Sequence, residues 1–447
     1  MAMEFKRKAY SQMLDWKAQL ADRYALLIEG ARRVGKTHLV REFVGKEYES
    51  SIFIDFSHKG RLVEDSKKAF TEERDIRGTL ERLQTIHQVS LIPGRSCVVF
   101  DEVQRFPVAR EAIKQLMEYG KYHYIETGSL LGIRENVKDI VIPSEEHKMK
   151  MYPLDFEEFL WAVGADRMAD SIRKCFIEKR AMGWLHAETV KQARLHMVVG
   201  GMPQSVAAYC QGDDHRLEDC EMVKREILSL YEADIGRYAK GYASKVRALF
   251  RHIPAALNTR EKKFHLADID RNARMRRYEN AFLWLADAMV ANIAYNSTDP
   301  GVGFGMNIED SLFKCYSHDT GLLLTQAMAG ARDVDGRLLR GVLYDRLGVN
   351  EGMFFENYVA QALVCRGYDL LFYARSKPRV EVDFLVRNGI KVCPVEVKSS
   401  SYHAHASLDW LIEHHSDGLG CRYVVCTGDY ETKNGITYLP FYMAHCL

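Results

Sequence analysis

A chain of 447 residues is too long for one ordinary core and calls for about two to four domains. Its residues are 47% hydrophobic and 28% charged, the make-up of an ordinary soluble globular protein. A net charge of +1 names no partner by itself. No apolar run approaches the roughly 20 residues that span a bilayer. The basic N-terminus MAMEFKRKAYSQMLDWK has no apolar stretch behind it, so a secretory signal is not expected. The ten cysteines form no CxxC pair, and Cys421 and Cys426 are spaced for neither a zinc knuckle nor a redox motif. Free thiols in a reducing cytoplasm are expected.

In chain order, residues 24–29 (YALLIE), 51–56 (SIFIDF), 97–100 (CVVF) and 122–127 (YHYIET) read as buried strands. Charged stretches with helical spacing, such as 71–87, lie between them. Strands alternating with helices predict a parallel sheet covered on both faces. From about 151 to 231 the β-rich runs fade into helical composition, broken at 199–203 (VGGMP). A basic stretch, the segment AFLWLADAMVANI and a Pro/Gly break at 300–305 follow. The last third returns to mixed α/β.

Residues 30–37, GARRVGKT, match GxxxxGK[ST] with a strand before them and a plausible helix, HLVREFV, after them. Gly30 and Gly35 let backbone N–H groups close on phosphates. Arg33, Val34, Lys36, Thr37 and His38 complete the loop and the helix N-terminus that faces the anion. Lys36 is expected to reach the β- and γ-phosphates of ATP, and the Thr37 hydroxyl to bind Mg²⁺. About 60 residues on, CVVFDEVQ has the form of a Walker B motif. Asp101 would hold Mg²⁺ there, and Glu102 would act as the base that orients water. That second carboxylate speaks for hydrolysis and against a small-molecule kinase. The strand YHYIETGS ends in Thr127, Gly128 and Ser129. In ATPases of the AAA+ type, which this part resembles, a polar residue here contacts the γ-phosphate or the attacking water. Thr127 or Ser129 fits that part, and either also fits a helix cap. Arg105 and Arg237 are candidates for neutralising charge in the transition state, with nothing in the sequence to rank them.

Between positions 235 and 280 there are twelve Lys/Arg against four Asp/Glu, in a chain that is nearly neutral as a whole. Three helix-sized stretches there suit a winged helix-turn-helix that contacts nucleic acid, DNA in the first instance. Arg271, Arg274, Arg276 and Arg277 would face phosphates or bases. A solvated helical face or a protein-docking module is the alternative.

The last third contains GMFFENYVAQAL, RVEVDFLV and VCPVEVKSS. These put Glu356 on a helix, Asp383 on a strand, and Glu396 and Lys398 on one face of the next strand. The set resembles the PD-(D/E)xK nucleases. There the carboxylates bind Mg²⁺ and the lysine orients or deprotonates a water, which implies metal ligation by Glu356, Asp383 and Glu396 and catalysis by Asp383, Glu396 and Lys398. Folds of this type also persist with only binding or structural roles. His403 and His405 have no spacing that suits a metal and read as helix-entry or surface residues.

Taken together, GARRVGKT, FDEVQRFP, ETGS, YPLDFEEFL, VGGMPQSV, YEADIGRYA, RALFRHIPAAL, FKCYSHDTGLLL, FFENYVAQAL, EVDFLV and VEVKSS resemble a prokaryotic family. It joins an AAA+ ATPase to a C-terminal domain of unknown function with a restriction-endonuclease-like fold. The resemblance implies a multidomain α/β chain: a P-loop core over 1–150, a helical lid over 151–234, a basic winged-helix-like domain over 235–305 and a nuclease-like α/β domain over 306–447. It implies ATP binding and hydrolysis with Mg²⁺, in a cytoplasmic protein with no membrane contact, able to form homo-oligomers. Two readings of its work follow. One is an ATP-dependent enzyme acting on nucleic acid. The other is an ATP-driven switch or scaffold whose nuclease-like domain only binds.

Overall fold

Short apolar runs closed by polar residues become the first four strands of the first sheet, β1 (Ala25–Glu29), β2 (Ser50–Asp55), β3 (Ser96–Asp101) and β4 (His123–Gly128), and a polar run becomes the fifth, β5 (Glu146–Lys150). All pair in parallel, in the order β2-β3-β4-β1-β5. β3 and β4 are buried at every position, as interior strands covered on both faces must be. β5, with the polar sequence EHKMK, was not expected as a strand. At the sheet edge only Met149 of its residues is fully buried, so its sequence carries no apolar run. The helical stretch 71–87 proves to be two helices, Arg61–Glu72 and Ile76–His87. The second starts afresh at Asp75, whose side chain accepts the Gly78 N–H at 2.8 Å.

The computed structural model describes residues 3–129, 142–211, 216–259, 261–269, 275–301, 303–328, 341, 351–400 and 403–447. The chain divides into two units. One is Lys6–Tyr152 with Asp287–Met289, and the other is Met1–Phe5 with Pro153–Ala286 and Val290–Leu447. None of the described helices is long and apolar enough to cross a membrane, and all ten cysteines are free thiols.

The second unit opens with helices Phe156–Ala162, Asp166–Ile177, His186–Val199, Pro203–Gln211, Leu217–Tyr238 and Ala243–Leu257. The expected break falls at VGGMP. A Cβ on Gly201 would lie 2.2 Å from the Leu154 carbonyl oxygen, so no larger residue fits. The Gly201 N–H is instead donated to buried Asp319, at 2.6 Å.

After helix Met275–Asp287 come β6 (Ala291–Ser297) and β7 (Ile308–Ser317). They are antiparallel partners with an irregularity at Tyr295/Asn296, so the sheet runs across the break at 300–305. β8 (Leu371–Arg375) and β9 (Val380–Val382) complete this sheet in the order β7-β6-β8-β9. A second mixed sheet contains β10 (Phe384–Asn388), β11 (Lys391–Val397), β12 (Tyr423–Cys426), β13 (Glu431–Lys433) and β14 (Ile436–Pro440), in the order β10-β11-β12-β14-β13. Helix Glu351–Cys365 is buried over most of its length. Asp383 was expected within a strand. It occupies the single residue between β9 and β10, where the chain leaves β8 as partner and takes up β11. Its side chain is released from the pleat at that switch.

Candidate functional site

In the first unit the carboxyl ends of β1, β3 and β4 carry the groups picked out as the nucleotide site. Gly30 follows β1, and a Cβ there would meet the Met151 carbonyl oxygen at 2.4 Å. Arg33 (φ 73°) and Gly35 (φ 98°) take left-handed conformations that turn the loop into helix Lys36–Glu47. Val34 is buried, and its carbonyl accepts from the Arg7 guanidinium at 3.1 Å, while the same guanidinium donates to the Tyr152 carbonyl at 2.7 Å. His38 lies in the first turn of the helix and is exposed. Lys36 is buried, and its ammonium donates to the carbonyls of Gly30 (2.8 Å) and Ala31 (3.0 Å). Burial lowers its pKa to about 8, against the pull of Glu102 and Asp101.

The Thr37 hydroxyl donates to the Asp101 carboxylate at 2.9 Å, and the Thr127 hydroxyl donates to the same group. Burial raises Asp101 to about 6, the two hydroxyls acting against it. Glu102 sits just beyond β3 at φ 54°, a left-handed conformation that costs a non-glycine residue on the order of 1–3 kcal/mol. That turn aims its carboxylate across the strand ends, where it accepts from Gln104 at 2.6 Å and from Ser129 at 3.2 Å. The structure therefore gives Thr127 to Asp101 and Ser129 to Glu102. Arg105 ends the short turn Val103–Arg105, with its Nε buried and unpartnered. Arg237 belongs to the second unit and lies over the Tyr238 ring.

Hydroxyl and carboxylate oxygens are the donor type that Mg²⁺ prefers. The glycine cradle, with a buried lysine and backbone N–H groups at a helix start, is the type that phosphate prefers. The residues present fit Mg-ATP. Arg7 and Gln104 have no role in the sequence reading: Arg7 contacts the loop from far upstream, while Gln104 stands in CVVFDEVQ just after the two carboxylates that draw attention there.

The second unit brings Glu356, Asp383, Glu396 and Lys398 to one place, together with two lysines that sequence reasoning missed. Glu356 is fully buried. One oxygen accepts from Tyr316 (2.6 Å) and Lys314 (3.0 Å), and the other from Lys262. Burial alone would raise this carboxyl, but Lys262 and Lys314 outweigh it and hold the pKa at about 2. Lys314 also lies 3.4 Å from Asp383 and 2.9 Å from Glu381. The other Asp383 oxygen accepts the Val397 N–H at 2.8 Å. Burial, with Glu356 adding to it, pushes Asp383 up. Glu396 accepts from Lys398 at 2.8 Å and keeps its second oxygen buried without a partner. Burial raises it to about 8, with Asp383 adding and Lys398 opposing. Among the described residues no group of three or more His, Cys, Asp or Glu is disposed to hold a metal ion. A lysine in the apolar run FKCYS of β7 was the available signal.

His405 stands just before helix Ala406–His414, and its ring bonds Asp409 and Tyr438, each at 2.9 Å. In the basic region Arg271 and Arg274 lie outside the described residues, as does the side chain of Arg276, and Arg277 is exposed.

Residues 22–160 match the family model described as AAA domain. Residues 190–333 match Domain of unknown function (DUF8612), and 351–443 match Domain of unknown function (DUF4143). An uncharacterized protein of Methanocaldococcus jannaschii, MJ1544, is 24% identical over 231 residues, 51% of this chain and 44% of that protein. The match thus spans less than half the length of that relative. The structure of C. elegans PCH-2 aligns with a TM-score of 0.23 at 13% identity, covering 64% of this chain and 68% of that one. Residues 22–160 therefore carry an AAA domain, and two domains of unknown function follow it.

Proposed function

We propose that this chain hydrolyses ATP at the carboxyl ends of β1, β3 and β4. The observation that carries the reading is the bond from Thr37 to Asp101, which joins the P-loop to the Walker B carboxylate across 64 residues of sequence at 2.9 Å. Lys36 and the backbone N–H groups of the loop hold the phosphates, and Thr37 and Asp101 hold Mg²⁺. When bound, the ion neutralises charge on the phosphate oxygens. Glu102 orients water and takes its proton. Gln104 and Ser129 fix the direction of that carboxylate, and Thr127 steadies Asp101. Glu102→Gln is expected to keep ATP binding while turnover falls by about 10²–10⁴, the usual worth of a general base. Unchanged turnover would remove Glu102 from this role.

The second unit, in this proposal, is what ATP turnover controls. Helix Ala243–Leu257 and helix Met275–Asp287, with the β6–β7 pair that follows the basic region, support a winged-helix-like arrangement. Helix Glu351–Cys365 and the second mixed sheet support a nuclease-like fold. Nucleic acid, DNA first, is the partner proposed for residues 235–280. Part of that basic charge is already used internally: Arg251 pairs with Glu232, Lys262 with Glu356, and Lys263 with Glu381. The switch reading is preferred to a nuclease because Glu356 and Asp383 are bonded to lysine. ATP turnover that rises with added DNA while the DNA stays intact is the expected result. DNA cut in Mg²⁺ and spared by Asp383→Asn would restore the nuclease. We place this switch in the cytoplasm, working as a homo-oligomer, to be checked by light scattering with and without ATP.

A further inference from the structure

We propose that the Lys314 ammonium takes the place of the divalent cation in the nuclease-like pocket, so that the C-terminal part of this chain works without a metal. The inference rests on reading the fold around Glu356, Asp383, Glu396 and Lys398 as nuclease-like. In such a pocket a cation would bridge the helix carboxylate and the strand carboxylate. Here the bridging position belongs to Lys314, which is fully buried on β7. Its Nζ is 3.0 Å from Glu356 Oε1, 3.4 Å from Asp383 Oδ1 and 2.9 Å from Glu381 Oε1. The ring of Phe372 lies beneath it at 5.1 Å, closing that side with an apolar face.

The remaining oxygens are committed as well. Glu356 Oε1 also accepts from Tyr316, and Oε2 accepts from Lys262. Asp383 Oδ2 accepts the Val397 N–H. Glu396 Oε1 is taken by Lys398, which leaves Glu396 Oε2, among the Glu356, Glu381, Asp383 and Glu396 carboxylates, as a buried oxygen without a partner in the described residues. Mg²⁺ keeps several of its waters and is held by one or two carboxylates, and the Glu356 and Asp383 carboxylates that would hold it here are already held by ammonium groups. A divalent ion seated between Glu356 and Asp383 would also lie against a buried ammonium of its own sign. Buried carboxylates need a counter-charge, and this chain provides it from Lys314 and Lys262. Lys262 lies in the basic region, a few residues after helix Ala243–Leu257. The bond from Lys262 to Glu356 therefore ties that region to the pocket, and the former metal position becomes a structural joint.

The test is binding of Mn²⁺ alone to the full nucleotide-free chain, counted by electron paramagnetic resonance. Each protein is compared with its Asp383→Asn counterpart so that ions at the P-loop cancel. Wild type and Asp383→Asn are expected to bind Mn²⁺ equally. Lys314→Met is expected to gain a site at least ~10-fold tighter, about 1.4 kcal/mol, that Lys314→Met with Asp383→Asn lacks. A wild-type Mn²⁺ site that disappears in Asp383→Asn overturns the inference, and this comparison needs no change at Lys314. A folded Lys314→Met protein without a new site also overturns it.

Discussion

Replacing Asp101 by Asn separates what this carboxylate does for the fold from what it does for the ligand. Burial lifts its pKa from 3.8 to about 6, with the Thr127 and Thr37 hydroxyls opposing. A carboxyl raised in the folded state contributes stability that is full below 3.8 and lost as the pH rises through about 6. Ionised Asp101 therefore costs the nucleotide-free unit about 3 kcal/mol at pH 8, at 1.36 kcal/mol per tenfold. Asn keeps an acceptor for the two hydroxyls and carries no charge. Asp101→Asn is expected to stabilise the nucleotide-free first unit by about 1–3 kcal/mol at pH 8, roughly 3–8 °C for a unit of this size. The gain should vanish toward pH 4. The same change removes the charge that Mg²⁺ needs, so the upward shift on adding Mg-ATP should be lost. Differential scanning calorimetry of the whole chain reads both effects, the first unit's transition being the one that Mg-ATP moves in the wild type. An Asn variant less stable than wild type at pH 8, or one still shifted by Mg-ATP, would refute the reasoning.

Three further outcomes are expected. Lys36, lowered to about 8 by burial, must be charged to bind phosphate. ATP affinity should therefore fall by up to about tenfold per pH unit above 8, and a flat calorimetric titration between pH 7 and 10 would contradict this. Gly30→Ala drives a Cβ to 2.4 Å from the Met151 carbonyl. It should cost about 1–3 kcal/mol of overpacking and weaken nucleotide binding, which denaturant unfolding and ATP titration would show. Asp319→Ala leaves the N–H groups of Gly201 and Leu322 buried and unpaired. A loss of about 2–5 kcal/mol from the two together is expected in urea unfolding.

What the sequence revealed was what local order encodes. The P-loop is one contiguous turn whose glycines are dictated by backbone geometry. Asp101 and Glu102 end an apolar strand in plain view, and the strands expected at 24–29, 51–56, 97–100 and 122–127 form within about a residue of those limits. The polar edge strand β5 stayed hidden because one buried face of one residue leaves no period to read. Asp383 was expected on a strand because RVEVDFLV is continuous in composition, while its break comes from two sheets competing for the same run. The lysines were missed for a different reason. Lys262, Lys314, Glu356 and Asp383 are scattered over more than a hundred residues, and only the folded chain shows which carboxylate each neutralises. A lysine within FKCYS could have been flagged, since a charge in a strand buried on both faces needs a partner.

The most direct test of the central claim is release of phosphate from ATP by the purified full chain, with Lys36→Ala and Glu102→Gln run beside it while ATP binding is titrated for all three. Turnover in the wild type, loss of binding in Lys36→Ala, and binding without turnover in Glu102→Gln are the predicted results. A wild-type chain that binds ATP and never hydrolyses it, or a Glu102→Gln chain that turns over normally, would contradict it.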